Sequence, residues 1–180
     1  LGIDNQDIEA IKTVYNGVLR DGGNQFYDSK FDIAKLSNIK NDAIKSILSA
    51  KLLEAQNRGI SISVEIEEPV SNFRIELLDF ITVLSVLCDN AIEATIEAIS
   101  PRMTVAFINN DDSLVLIIEN SIKSEKVDVN HIFAKGYSSK GEGRGLGLHN
   151  VNSVLEKYPK STITTRSANH LFSQTIRFCK

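Results

Sequence analysis

Tryptophan is absent from these 180 residues, methionine occurs once, proline three times and cysteine twice. So few prolines leave long stretches free to form regular elements, since proline is the residue that interrupts them. Cys88 and Cys179 form no C-x-x-C pair and no spaced framework, so reduced thiols of the cytosolic kind are expected. The longest apolar stretch, around Ile81 to Cys88, is broken by Thr82 and Ser85 and is far shorter than a bilayer span requires. An excess of positive charge is also lacking. Lys+Arg total 20 against 23 Asp+Glu, and a net charge of −3 excludes the whole-chain basic field that would make nucleic acid a partner. What remains is 42% apolar, enough for one core that buries roughly 70% of the unfolded chain's surface, which excludes disorder. The chain opens with Leu1 and shows neither a basic n-region nor a cleavage signature, so an excised piece of a larger protein is expected.

Periodicity divides the chain. Ile8, Ile11, Val14, Val18 and Leu19 predict an amphipathic helix over residues 5–20, broken by Asp21-Gly22-Gly23. A second helix is predicted from about Asp32 to Asn57, on Leu36, Ile39, Ala43, Ile47, Leu48, Leu52 and Ala55. With no strand between them, these helices read as half of a bundle, or as two stripes packed on the domain downstream of them. From Gly59 the period falls to two: Ile60, Ile62, Val64 and Ile66 alternate with polar residues as a half-buried strand. Leu77, Ile81, Leu84, Cys88 and Ala91 then set a helix running to about Ser100, where Pro101 stops it. Strands Met103 to Ile108 and Leu114 to Glu119 flank the turn Asn109-Asn110-Asp111-Asp112. A helix on Leu148, Val151, Val154 and Leu155 precedes strands Thr162 to Arg166 and Phe172 to Phe178. The order β-α-β-β-α-β-β suggests a mixed sheet with helices on one face.

Two segments carry chemistry. In Lys140-Gly141-Glu142-Gly143-Arg144-Gly145-Leu146-Gly147, glycines alternate immediately before a helix. Backbone N–H groups that approach closely there, added to the helix's positive end, make an anion cradle with Lys140 and Arg144 as charged neighbours. The lysine precedes its glycine, and no G-x-G-x-x-G fits, so P-loop and dinucleotide-binding readings fail. On the long helix, Val86, Asn90, Glu93 and Glu97 share a face away from the apolar stripe. An amide among carboxylates can hold a hydrated Mg²⁺, though such residues alone also suit a solvated face.

Taken in order, the Asn90 helix, the hairpin ending Ile117-Ile118-Glu119-Asn120, the segment Ile132-Phe133-Ala134-Lys135-Gly136-Tyr137-Ser138-Ser139-Lys140 and the glycine loop resemble the ATP-binding domain of the GHKL superfamily. The likeness covers about residues 60 to 178. Within the superfamily it is to sensor histidine kinases of the peptide-pheromone, competence-receptor type, and residues 43–56 look like their helix leading into the ATP domain. The resemblance implies an α+β fold: two N-terminal helices, then a GHKL-type α/β sandwich whose mixed sheet is covered by helices on one face. Residues 1–58 would hold the second helix of a dimerisation hairpin and a connecting helix, and residues 59–180 the ATP-binding catalytic domain.

Carried over by position, the resemblance implies ATP and Mg²⁺ as cofactors. Asn90 is the expected metal ligand. Gly143, Gly145 and Gly147 hold the phosphates, with Lys140, Arg144 and Leu146 in the same nucleotide-binding segment, and Phe133 and Tyr137 flank it. The family's D-x-G-x-G aspartate, which bonds the adenine amine, is missing: Glu119-Asn120-Ser121 stands there, with Asn120 or Glu119 as the adenine contact. The glutamate with which GHKL ATPases activate water is replaced by Val86, which disfavours hydrolysis and leaves phosphoryl transfer as the leading reading. A GHKL ATPase and a nucleotide-binding docking module are the alternatives. His131, His149 and His170 lack the acidic neighbour and bundle helix of a phosphate acceptor, so the acceptor is expected upstream of Leu1. The implied setting is the cytoplasmic portion of a membrane receptor in peptide quorum sensing, working as a homodimer with a response regulator and a peptide pheromone as partners.

Overall fold

A computed structural model describes residues 34–130, 132 and 147–180. Among them, α1 (Asp42–Asn57) precedes β1 (Ser61–Ile66), and α2 (Leu77–Thr95) links it to the hairpin of β2 (Arg102–Asn109) and β3 (Ser113–Ser121). α3 (Gly147–Leu155) leads to a second hairpin, β4 (Ser161–Ala168) and β5 (Leu171–Cys179). The five strands form one sheet in the order β1-β2-β3-β5-β4. β1 is parallel to β2, a pairing that requires a crossover, and α2 supplies it; the other pairs are antiparallel.

Period-two alternation assigns the faces. Val64, Val105, Ile118 and Gln174 lie in one row across the sheet, and Ile62, Met103, Asn120 and Phe172 in the next. This face carries the core, and the helices cover it. α2 is fixed at both ends. Near its start Phe80 packs edge-on against Phe73, with centroids 4.7 Å apart, and lies 5.5 Å from Phe178. At its end Thr95 Oγ1 is 2.7 Å from Ala91 O and 3.3 Å from Ser121 O. Because α1 and α3 both pack against α2, it buries a wider arc than the expected stripe. Phe80, Val83, Leu87 and Ile92 join Leu84, Cys88 and Ala91 inside, whereas Leu77 is exposed.

Two expectations change. The helix from Asp32 to Asn57 is interrupted: residues 35–38 form a short 3-10 turn, and Ile39 makes a parallel bridge to Val70. Asn41, in extended conformation, then caps α1 by accepting from the Ile44 N–H at 3.1 Å, a geometry a continuing helix forbids. α2 ends at Thr95 rather than Ser100, and a turn closed by Ala98 N–H to Thr95 O leads to Pro101. Ile44, Leu48, Leu52 and Ala55 of α1 are fully buried in the same core as the sheet. For α1 the stripe therefore packs on the downstream domain. The helix expected over residues 5–20 lies outside the described residues.

Candidate functional site

The site is built where α2 meets the first turn of α3. Leu87, Cys88 and Ala91 point into the core, and this leaves Asn90, one position round the helix, half-buried at its margin. Gly147 opens α3 directly against it. A β-carbon at 147 would lie 3.1 Å from Val86 Cγ1, 3.7 Å from Asn90 Nδ2 and 3.8 Å from Asn90 Oδ1. Glycine is what lets the two helices come this close, and the first turn of α3 stands beside the Asn90 carboxamide. Val86 sets an apolar branch beside Gly147 and Asn90.

Asp89, next to Asn90, forms an ion pair with Lys51 of α1. Cys88 is sealed below, and burial pushes its thiol up to about 12, so it is inert as a nucleophile. Glu97, grouped with Asn90 by helical spacing, lies 4.0 Å from Lys123 on the surface. Among the described residues no three His, Cys, Asp or Glu side chains are gathered to hold a metal. A cation at Asn90 would take one protein oxygen and complete its shell from ligand oxygens and water, which is the habit of Mg²⁺.

The two adenine candidates part company. Asn120 is 2% exposed and sits on the helix-covered face, its Nδ2 donating to Ser121 O at 2.9 Å. Glu119 is on the opposite face, lining a shallow cavity of about 520 Å³ with Thr164, Arg166 and Ser173. Only Asn120 shares a face with Asn90's helix. The same face also holds Gln174 and Thr165, neighbours across β4 and β5, whose Nε2 and Oγ1 are buried without partners among the described residues. Sequence reasoning passed over Gln174. Its signal was a lone amide at an inward position of the alternation Phe172, Gln174, Ile176, Phe178.

The structure therefore brings together Asn90, Val86 and Gly147, and places Asn120 on the same side of the sheet. Lys140, Gly143, Arg144, Gly145 and Leu146, with Phe133, Tyr137 and His131, lie outside the described residues. His149 is in the first turn of α3, and His170 is in the β4–β5 turn with Nδ1 3.2 Å from Lys123 O. Neither stands on a bundle helix beside an acidic residue.

The family model described as the GHKL domain matches residues 75–179. The chain is 30% identical over 127 residues to the sensor protein CitS of Bacillus subtilis (strain 168), a match covering 67% of this chain and 23% of CitS. It is also 30% identical over 144 residues to the sensor histidine kinase DcuS of Escherichia coli (strain K12), covering 77% of this chain and 26% of DcuS. The chain thus spans about a quarter of the length of these curated relatives. Among solved structures, the nucleotide-free catalytic domain of histidine kinase ThkA is similar with a TM-score of 0.65 at 18% identity, over 76% of this chain and 91% of that one. With the family match running from just before α2 to the end of β5, the chain belongs to the GHKL domain family and has the fold of a histidine kinase catalytic domain.

Proposed function

We propose that this chain binds Mg-ATP and directs the γ-phosphate to a histidine on an upstream helix, as the catalytic part of a sensor histidine kinase. The observation that carries the reading is the contact of Gly147 with Val86 and Asn90, a cradle that one added carbon would fill. Asn90 Oδ1 would hold the cation, and the first-turn N–H groups of α3 would face the phosphates. Bound Mg²⁺ would neutralise charge spreading over the transferred group. Val86 cannot take a proton from water, which favours transfer over hydrolysis.

Residues 1–58 would then end a dimerisation hairpin and continue into the connecting helix docked on the catalytic domain of residues 59–180. A response regulator and a second protomer are the partners such a kinase requires. The likeness of residues 43–56 and of Asn120 to pheromone receptors supports a membrane receptor that senses a secreted peptide, in competence or quorum sensing. None of the helices among the described residues is long and apolar enough to cross a membrane, so that anchor and the sensing part would belong elsewhere in the receptor.

The test is titration of the purified chain with ATP, with and without Mg²⁺, followed by labelling with γ-phosphate. Mg²⁺-dependent affinity is expected, with acid-labile label on a separate polypeptide carrying the acceptor helix and none on His131, His149 or His170. Stoichiometric label on one of these three, or steady ATP hydrolysis without acceptor, would contradict the assignment.

A further inference from the structure

Gln174 is 3% exposed, and its Nε2 has no partner among the described residues; the Oγ1 of Thr165, directly opposite on β4, is likewise buried and unmet. Buried polar groups are almost always bonded, and an apolar side chain of the same shape would remove the penalty. A donor kept here at a cost to folding points to a partner that arrives as a ligand.

The position of the pair identifies that ligand. α2 crosses the sheet from Phe80, packed near Phe178, to Thr95, beside Ser121. At about 1.5 Å per helical residue against about 3.4 Å per strand residue, Asn90 stands over the strand rows of Ile118 and Asn120. Gln174 occupies the first of these rows and is the diagonal neighbour of Asn120, roughly 7–8 Å away and on the same face. The Asn120 carboxamide has a set orientation, because Nδ2 donates to Ser121 O, and Oδ1 is left as the acceptor. One face thus offers an acceptor at Asn120 and a donor one row along at Gln174. Adenine carries the complement on adjacent atoms: an exocyclic amine that donates and a ring N1 that accepts. Guanine carries the reverse, an oxygen that accepts beside an N–H that donates.

Resting on the ATP-binding reading above, we infer that Gln174 is a second base-reading residue, its Nε2–H donating to adenine N1 while Asn120 Oδ1 accepts from the amine. Thr165 Oγ1 supplies the donor for the Gln174 carboxamide oxygen once the amide has turned to the base. The pair selects ATP over GTP through a site whose polar groups stay unpaired with the wrong base.

The experiment uses the whole chain with Mg²⁺ and two probes, ATP and 1-deaza-ATP, which lacks ring N1. Wild type should bind 1-deaza-ATP about tenfold more weakly than ATP, the worth of one buried hydrogen bond. Gln174→Met should be at least as stable as wild type without nucleotide, lose about tenfold in ATP affinity, and bind both probes alike. A merely structural glutamine would instead lose thermal stability on substitution. Unchanged ATP affinity in a folded Gln174→Met, or equal losses for both probes, overturns the inference while leaving ATP binding intact. Should the variant not fold, equal affinity of wild type for the two probes overturns it. Wild type binding neither probe would bring down the ATP reading and this inference with it.

Discussion

Lys51 of α1 and Asp89 of α2 form an ion pair that joins α1 to the turn of α2 carrying Asn90. The pair is partly solvated, so Lys51→Met should cost no more than about 1 kcal/mol. The apolar contacts behind it contribute more. Ile44, Leu48 and Leu52 are fully buried, each contributing about 1.5–3 kcal/mol, and together they are comparable with the whole stability of an ordinary domain. A chain beginning at Gly59 should therefore lack a cooperative thermal transition, although it retains every strand. Circular dichroism on that truncation and on Lys51→Met decides the matter. A melt of residues 59–180 matching the full chain would show that α1 is an appendage.

Gly147 and Asn90 allow a paired test of the nucleotide cradle. Asn90→Ala should leave the melting temperature nearly unchanged, because the side chain lies at the margin of the core, and should abolish the Mg²⁺ dependence of ATP binding. Gly147→Ala puts a carbon 3.1 Å from Val86 Cγ1, an overpacking that typically costs about 1–3 kcal/mol, and should weaken ATP binding. Adding Val86→Ala removes that clash and should restore stability and much of the affinity. Isothermal titration on the three variants checks this; a folded Asn90→Ala with wild-type Mg-ATP affinity would remove the metal assignment.

The strands were legible because period-two alternation runs through Ile62, Val64 and Ile66 and again through Phe172, Ile176 and Phe178, and the first hairpin turn carries its Asn- and Asp-rich signal. The break at residues 35–41 was not. Leu36 and Ile39 are spaced as on a helix, yet Ile39 is spent on a bridge to Val70, a partner some thirty residues away that no local pattern announces. In the same way, the stripe read on α2 missed Phe80 and Leu87, since a helix flanked by two others buries more than one face. Asn90, among helix carboxylates, and Gly147, at the end of the glycine run, gain weight as candidates from the order of segments that resembles a family, as neither residue type is diagnostic alone. What separates Asn120 from Glu119 is the register of β3, which puts adjacent residues on opposite faces and which no local pattern supplies.

The far end of α2 from the nucleotide site predicts a pH response. Tyr158, just beyond α3, donates its hydroxyl to Asp79 Oδ2 at 2.6 Å and accepts from the Glu76 N–H at 3.2 Å, capping α2 where Glu76 itself makes no side-chain cap. Lys157 Nζ stands 3.1 Å from Asp79 Oδ1. The Tyr158 hydrogen bond first, and then that of Lys157, hold the Asp79 carboxyl below the usual carboxylate range. A folded value below the unfolded one, about 3.9, makes the contribution complete above that pH and lost as pH falls through the folded value. Asp79→Asn should therefore cost about 1 kcal/mol at pH 7, and the gap to wild type should close in acid below about pH 4. Burial and the same bond push the Tyr158 phenol up, so its share is complete below about pH 10 and is lost as pH rises through the folded value. Tyr158→Phe removes both hydrogen bonds and should match or exceed Asp79→Asn at neutral pH. Melting curves of the three proteins from pH 3 to 11 provide the check. A gap between wild type and Asp79→Asn that stays constant into acid would mean that Tyr158 and Lys157 hold the aspartate no better than water does.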